Sequence, residues 1–291
     1  MSIQLGKPYE KHIPRLDIYE CYKKSPYLSV KHSSYFHVYA ELLDTYRNKP
    51  ITFIEIGVLG GGSLFMWREY LGHRARIIGI DLNPLAKRWE EHGFEIYIGS
   101  QSEGKFWDEL FNSVGDVDVV LDDGGHTYEQ QIVTASKCIP HIKNGGLLIV
   151  EDTHTSYFQD FGYPCKYSFI EWAKGLIDNI NCRFPSVQVS SLPYKSSVYS
   201  ISIFQSIACF KIHRELCVDS SPTSNDGILL NSEDFKYLTY KGSKIEEANS
   251  LISLVKRLLP FVRHFPFLRN IANWYRDIVK RRELKRLKRY F

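Results

Sequence analysis

Acidic and histidine side chains cluster in two short segments of the sequence, residues 121–126 and 150–154. The first reads Leu-Asp-Asp-Gly-Gly-His and the second reads Val-Glu-Asp-Thr-His, which together hold four carboxylates and two histidines. Close carboxylates repel one another unless a cation lies among them, and oxygen ligands suit Mg²⁺. A histidine beside such a cation can take the proton of an acidified substrate hydroxyl. We therefore expect a divalent metal centre with His126 as its base. Helix capping and a solvated histidine are the alternatives for each residue taken alone.

A glycine-rich turn precedes these clusters. Residues 55–63 read Glu-Ile-Gly-Val-Leu-Gly-Gly-Gly-Ser, and such a turn exposes backbone N–H groups and a positive helix end to a ligand. No lysine follows the glycines, which excludes a Walker loop. The dinucleotide pattern G-x-G-x-x-G fails at Leu59 when read from Gly57, and at Phe65 when read from Gly60. The turn can still pass close to an uncharged ligand, and glycines that serve only a tight turn are the alternative.

Two further candidates follow the next strand-like runs. Asp81 lies 24 positions after Gly57, where a carboxylate can accept hydrogen bonds from both hydroxyls of a ribose. Its alternative role is to cap a helix that begins at Pro84. Ser100 and Gln101 follow the third run and can read the edge of an adenine, although Ser100 can equally cap the next helix. These residues predict a nucleoside-like ligand beside the glycine turn.

The elements that must position these residues alternate between strand and helix. Nearly all of the strand-like runs are apolar instead of alternating, which is typical of strands buried on both faces of a parallel sheet. They span residues 51–57, 75–81, 93–99, 116–123 and 145–152. Helical patterns fill the intervals at residues 63–72, 84–93, 103–115 and 127–146. The last two runs, SSVYSISIF and SIACFKIH, are too close for a helical crossover and predict an antiparallel edge hairpin. We predict an α/β fold with a doubly wound, Rossmann-like, mostly parallel seven-stranded sheet.

The charge distribution divides the chain into parts. The 291 residues carry a net charge of +4, but residues 250–291 contribute +10 and residues 1–249 contribute −6. We predict a helical N-terminal cap over residues 1–50, with a helix at 33–46, and a catalytic domain over residues 51–217. A linker over 218–244 and a basic amphipathic helical tail over 245–291 follow. The tail pattern favours an anionic membrane surface, with packing on its own domain or binding of nucleic acid as alternatives.

Composition narrows the class of protein further. The chain is 44% hydrophobic and 24% charged, as in globular proteins, and its six cysteines form no C-x-x-C pair. A zinc knuckle and a secreted disulfide framework are therefore not expected. No apolar run is long enough for a signal peptide or a membrane span. We expect a cytoplasmic protein that can be peripheral at the cytoplasmic membrane face and has no nucleic-acid partner. The sequence allows either a monomer or a homo-oligomer.

Three segments carry a resemblance to a known family. Residues 29–39 follow the form S-x-K-x-x-x-Y-x-x-x-Y, residues 122–126 the form D-D-G-x-H, and residues 151–157 the form E-D-x-H-T-S-Y. In these motifs, and over residues 27 to 213, the chain resembles the class I S-adenosylmethionine-dependent methyltransferases. Within that class it is similar to the metal-dependent group of macrocin and mycinamicin sugar O-methyltransferases and cephalosporin hydroxylase-like proteins. The family commonly has an acid before the lysine, where this chain has Val30, so the resemblance assigns no role to Lys31.

The resemblance implies a set of site residues. His126 would be the general base, and Mg²⁺ or Mn²⁺ would be held by Asp123, Glu151 and Asp152. S-adenosylmethionine would be bound by Glu55, Gly57, Gly60 and Asp81, with its adenosine portion near Ser100, Gln101 and Asp122.

The implied reaction is an in-line methyl transfer to a sugar hydroxyl of a glycan or lipid-linked glycan. The alternatives are methylation of a free secondary metabolite, a nicotinamide-dependent oxidoreductase and a non-catalytic binding module. Aromatic side chains after the second acidic segment can stack on a sugar ring, or pack on one another. They are Tyr157, Phe158, Tyr163 and Tyr167.

Overall fold

The computed structural model describes residues 17–184 and 193–228, together with positions 274, 278, 281, 285 and 290. The chain divides into two compact units, Met1–Pro222 and Thr223–Phe291. The elements described below all belong to the first unit. Nearly all of the predicted basic tail lies outside the described residues, so its helices and the predicted domain boundaries stay predictions. Among the described helices, none has the length and apolar character needed to cross a bilayer.

Strands and helices alternate through most of this unit. The strands are β1 (Thr52–Ile56), β2 (Arg76–Asp81), β3 (Glu95–Ile98), β4 (Val117–Asp122), β5 (Ile142–Val150), β6 (Val198–Phe204) and β7 (Ile207–Ile212). The α-helices are α1 (Asp17–Lys24), α2 (Tyr35–Leu43), α3 (Gly62–Leu71), α4 (Gly104–Val114), α5 (Tyr128–Cys138) and α6 (Phe169–Asn181). Longer 3₁₀ turns occur at Pro84–His92 and Thr153–Tyr157.

The strands form one seven-stranded sheet in the order β3-β2-β1-β4-β5-β7-β6. The first five strands in this order pair in parallel, whereas β7 pairs antiparallel with both β5 and β6. Chain order reverses between β1 and β4, and ligands bind at such a switch point, beyond the carboxyl ends of the strands. The predicted doubly wound sheet with an antiparallel edge hairpin is confirmed.

Helices cover both faces of the sheet, which explains why the strand runs are apolar throughout. Neighbouring residues of β1 point to opposite faces, and Phe53 and Ile54 are both fully buried. Phe53 packs in a core with the leader helices α1 and α2 and with α3. Ile54 packs in a second core with α4, α5 and α6. The described helices of the predicted N-terminal cap thus share a core with the sheet.

Local helix predictions succeeded in part. The predicted leader helix is present as α2, and the intervals after β1 and β3 are α3 and α4. The predicted helix over 127–146 was wrong in its last part, because α5 ends at Cys138 and β5 begins at Ile142. Pro140 has no N–H to donate and ends the helix there. The interval at Pro84–His92 is a 3₁₀ helix, and α1 and α6 were not predicted.

Candidate active site

A cavity of about 530 Å³ opens where the parallel strands end. Residues that follow β1, β2, β3 and β4 all contribute to its wall, as expected for an open α/β sheet. From the predicted site it includes Gly57, Asp81, Gln101, Asp123, His126 and Asp152. The sheet thus brings six of the predicted residues, which are spread over nearly a hundred positions of sequence, into one depression.

Gly57 is the glycine that this arrangement requires. Its φ of +91° lies in the left-handed region, and a Cβ atom at this position would lie 2.1 Å from the carbonyl oxygen of Asp123. The end of β1 can therefore approach the end of β4 only without a side chain. Gly60 faces the leader instead, since its Cβ would meet the carbonyl oxygen of Leu28 at 2.8 Å. Gly60 lines a neighbouring cavity of about 370 Å³ with Tyr27, so its predicted role in cofactor binding stays a prediction.

Asp81 organises the wall of the larger cavity. Its Oδ2 accepts a hydrogen bond from the backbone N–H of Leu59, 3.0 Å away, and its Oδ1 accepts from that of Asn83, 2.8 Å away. Each carboxylate oxygen has two lone pairs, so both can accept a further hydrogen bond from a ligand. Asp81 therefore has the position and the acceptor capacity that ribose binding needs. It does not cap the following 3₁₀ helix, because the Asn83 side chain does so.

The side chains of Gln101 and Asp122 hold the loop that follows β4. The Gln101 amide donates to Asp122 Oδ1 at 2.9 Å, and its Oε1 accepts from the Gly125 N–H at 2.9 Å. Burial raises the pKa of Asp122 to about 6, although Gln101 and the Gly124 N–H partly oppose the shift. Its Oδ2 is buried without a partner. Ser100 bonds the N–H of Ser102 and is not among the residues that line the large cavity.

Glu55 lies inside the protein and not on the cavity wall. Its side chain is fully buried, and its carboxylate accepts hydrogen bonds from Ser63 Oγ at 2.7 Å and Trp67 Nε1 at 2.9 Å. Burial raises the pKa of Glu55 to about 7, while Lys31 and these two donors act in the opposite direction. Direct cofactor binding by Glu55 stays a prediction. In this geometry Glu55 fixes α3 against β1 and so shapes the glycine turn between them.

The raised pKa of Glu55 predicts a pH dependence of stability. Its pKa changes from 4.5 when solvated to about 7 when folded, so the folded state holds the extra proton between these values. The free energy of unfolding should therefore fall as the pH rises from 4.5 to 7, by up to about 3 kcal/mol. The Glu55→Gln variant should lack this decline, because its amide does not titrate. It should still fold, because the amide can bond Trp67 and Ser63. Urea unfolding at several pH values gives the free energy of unfolding of both proteins. An equal dependence on pH in the two would contradict the raised pKa of Glu55.

Asp123, His126 and Asp152 converge at the edge of the cavity. His126 Nε2 lies 3.3 Å from Asp152 Oδ2 and 3.9 Å from Asp123 Oδ1. One ligand atom from each of the three residues lies within 4.8 Å of the other two, a spacing that fits a single cation. The Thr155 hydroxyl bonds the carbonyl oxygens of both His126 and Asp152 and so ties the two loops together. The two acidic segments meet as the sequence predicts.

Both of these loops contain a residue in an unusual backbone conformation. His126 has a φ of +59° and Asp152 a φ of +54°, which side-chain-bearing residues rarely adopt. Such conformations cost about 1 to 3 kcal/mol each and persist where the surrounding structure enforces them. Here they point the two side chains toward each other. The His126 Nδ1 atom is buried and has no hydrogen-bond partner among the described residues.

Glu151 has different surroundings from Asp123 and Asp152. Its carboxylate is fully buried, accepts from the Tyr39 hydroxyl at 2.5 Å, and lies 3.2 Å from the ammonium of Lys31. It belongs to neither group of described residues whose spacing fits a metal. The predicted ligand role of Glu151 therefore stays a prediction.

Lys31 was the main functional residue that the sequence did not explain. Its ammonium lies 2.6 Å from Asp123 Oδ2 and 3.8 Å from Glu55 Oε1, in addition to its bond to Glu151. Burial alone would lower the pKa of Lys31, but the three carboxylates more than offset this and raise the pKa above its usual value. Lys31 is thus a buried cation. The spacing of four residues between Tyr35 and Tyr39 is the signal that could have placed these two partners of the acidic residues on one face of α2, whereas Lys31 precedes the helix and carries no such signal.

The aromatic loop after β5 remains open to solvent. Tyr157, Phe158, Tyr163 and Tyr167 are each at least half exposed. Only Phe158 among them has a ring contact with the site, an edge contact with His154 at 5.0 Å. The alternative of a cluster packed on itself is therefore not what the described contacts favour, and stacking on a sugar stays a prediction.

Comparison with known proteins gives a consistent picture. Residues 54–153 match a family described as a methyltransferase domain. Demethylmacrocin O-methyltransferase of Streptomyces fradiae is 35% identical over 124 residues, which are 40% of this chain and 31% of that protein. Mycinamicin VI 2''-O-methyltransferase of Micromonospora griseorubida is 31% identical over 187 residues, which are 55% of this chain and 45% of that protein. The chain thus spans less than half the length of each.

A solved structure shares the fold. The MycE methyltransferase of mycinamycin biosynthesis, in complex with Mg, SAH and mycinamycin VI, superposes with a TM-score of 0.63 at 25% identity. The match covers 77% of this chain and 58% of that one. Together with the sequence matches, it confirms the resemblance to metal-dependent sugar O-methyltransferases.

Proposed function

We propose that this chain, which carries a methyltransferase domain related to sugar O-methyltransferases, transfers a methyl group from S-adenosylmethionine to a sugar hydroxyl. The observation that carries the proposal is the convergence of Asp123, His126 and Asp152 beside the cavity that Gly57 and Asp81 line. A methyl donor in that cavity and a cation at its edge place donor and acceptor next to each other.

The residues take separate roles in this reaction. Asp81 accepts hydrogen bonds from the ribose of S-adenosylmethionine, which supplies the electrophilic methyl group. Asp123 and Asp152, with Glu151 as the third predicted ligand, would hold Mg²⁺ or Mn²⁺, which would lower the pKa of a bound hydroxyl. His126 takes the hydroxyl proton, and the fixed geometry aligns the oxygen with the methyl carbon. Glu151 contacts Lys31 and Tyr39 at the end of β5 and is the third carboxylate of the predicted metal site.

The acceptor that we propose is a sugar hydroxyl, and the molecule that carries the sugar is a more specific proposal. MycE was solved with mycinamycin VI, and other relatives are named for sugar positions of tetracenomycin and oleandolide compounds. These names support a sugar acceptor, carried either on a secondary metabolite or, as the sequence suggested, on a glycan or lipid-linked glycan. Tyr157 and Phe158, which are exposed on the loop after β5, would stack on its ring. The basic segment at 245–291 supports an acceptor presented at an anionic membrane surface.

Cofactor identity is tested by replacing Asp81. The Asp81→Ala protein should bind S-adenosylmethionine at least about tenfold more weakly, because two charge-assisted hydrogen bonds to the ribose are lost. Isothermal titration with S-adenosylmethionine and, separately, with NAD⁺ measures this. The wild-type protein should bind the first and not the second.

Asp118→Ala is the matched control for this experiment. Asp118 also accepts a bond from a backbone N–H, that of Thr52 at 2.8 Å, but does so at the opposite end of the sheet. Unchanged affinity in Asp81→Ala, or binding of NAD⁺ by the wild type, would refute the cofactor assignment.

A further inference from the structure

The buried ammonium of Lys31 lies between carboxylates that the reaction needs. Its side chain is 2% exposed, and its Nζ lies 2.6 Å from Asp123 Oδ2 and 3.2 Å from Glu151 Oε2. A buried charge of this kind is stable only when opposite charges surround it. The acidic cluster of this protein is therefore neutralised in part by the protein's own cation, which comes from a segment about ninety residues earlier in the chain.

Two tyrosines of the leader extend the same contact. Tyr35 and Tyr39 lie four positions apart on one face of α2, and Lys31 lies in the non-helical segment just before that helix. The Tyr35 hydroxyl donates to Asp152, and the Tyr39 hydroxyl donates to Glu151 at 2.5 Å. The leader thus bonds all three carboxylates that follow β4 and β5. Lys31, Tyr35, Asp123 and Asp152 also line a small cavity of about 120 Å³.

We propose that Lys31 is a positioning residue that stands in for the divalent cation. In the absence of metal, its ammonium holds Asp123 and Glu151 together, and a bound divalent cation must then share or displace it. This inference rests on the proposed metal site at Asp123 and Asp152. Its consequence is that Lys31 lowers the affinity for divalent cations while it keeps the metal-free site assembled.

The change in metal affinity when the Lys31 ammonium is removed distinguishes this role from that of an ordinary structural ion pair. Two cations within about 5 Å repel each other by several kcal/mol at an effective dielectric constant near 20. Removal of the ammonium should therefore strengthen metal binding. If Lys31 only maintained the fold, its removal would loosen the carboxylates and weaken metal binding.

The Lys31→Met variant of the full chain tests the proposal. Methionine keeps the apolar volume of the stem and removes only the charge. We expect Mg²⁺ to bind this variant at least about tenfold more tightly than the wild type in isothermal titration. In EDTA its melting temperature should be lower by about 5 °C or more, and saturating Mg²⁺ should close most of that gap.

Lys143→Met is the matched control, because Lys143 pairs with Asp118 at 2.9 Å near the other end of the sheet and is half exposed. It should bind Mg²⁺ like the wild type. If Lys31→Met does not fold in EDTA, the Lys31→Met/Glu55→Gln variant also removes the neighbouring buried carboxyl group that loses its cation, and it should show the same tighter binding.

Three outcomes overturn the proposal. The first is Mg²⁺ affinity that is equal to or weaker than that of the wild type in either folded variant. The second is failure of both variants to fold at saturating Mg²⁺. Each of these leaves the proposed metal site intact. The third is a wild-type protein that binds neither Mg²⁺ nor Mn²⁺, which would overturn the metal site as well.

Discussion

Replacement of His126 with alanine is expected to lower the rate of methyl transfer by a factor of about 10² or more, because it removes the group that takes the acceptor proton. The ring lies 3.3 Å from Asp152 and at the wall of the large cavity, so it reaches both the proposed metal and the acceptor. Binding of S-adenosylmethionine should not change. The measurement is methyl transfer from radiolabelled S-adenosylmethionine to a glycoside acceptor at saturating Mg²⁺.

His126 could instead act as a metal ligand, since its spacing to Asp123 and Asp152 also fits that role. Mn²⁺ affinity distinguishes the two roles. The base assignment predicts that His126→Ala binds Mn²⁺ within about threefold of the wild type, whereas loss of a ligand would cost about tenfold or more. His141→Ala, a histidine stacked on Phe111, is the matched control. Wild-type turnover in His126→Ala, or turnover restored by excess Mn²⁺ alone, would contradict the assignment.

The sheet could be predicted from the sequence because its strands are buried on both faces. β1, β2 and β4 are mostly apolar, and each is followed by a turn signal and a helical period. Helix α6 could not be predicted in the same way, because it follows a long aromatic loop that gives no boundary before Ser168 caps it. The start of β5 at Ile142 was missed because the next two residues, Lys143 and Asn144, are polar and exposed and look like the end of a helix.

Some residues of the candidate site could also be predicted from the sequence, and others could not. Asp81, Asp123, His126 and Asp152 lie at strand ends, so the rule for parallel sheets places them together. The partners of Lys31 lie 92 and 120 positions away, and no local pattern indicates such distances. Burial is also not local information, so the sequence does not show that the Glu55 carboxylate bonds Ser63 and Trp67 inside the protein.

At Gly57 the glycine turn comes into close contact with the acidic cluster, two features that the sequence showed separately. A Cβ at Gly57 would lie 2.1 Å from the Asp123 carbonyl oxygen and 3.2 Å from Gly124 Cα. These neighbours are backbone atoms at the end of β4, where β1 and β4 pair in parallel register up to Ile56 and Asp122. They can move away only if the strand ends separate, and such a movement would displace Asp123.

The Gly57→Ala variant should therefore lose both stability and ligand binding. We expect the free energy of unfolding to fall by roughly 3 kcal/mol or more, of which about 1 to 2 kcal/mol comes from an L residue at positive φ and the rest from the clash. Affinity for S-adenosylmethionine and for Mn²⁺ should both fall at least about tenfold, because the cavity wall and Asp123 move together. Urea unfolding and isothermal titration measure the two effects.

Gly145→Ala separates backbone strain from the clash. Gly145 has a φ of +86°, close to that of Gly57, but a Cβ there would have no heavy atom within 4 Å. This variant should lose only about 1 to 2 kcal/mol and should bind both ligands like the wild type. Equal destabilisation of the two variants, or normal binding of S-adenosylmethionine by Gly57→Ala, would mean that the strand ends do not need their close approach to form the site. If instead only Gly57→Ala loses both ligands, one backbone contact between β1 and β4 couples the cofactor cavity to the proposed metal site.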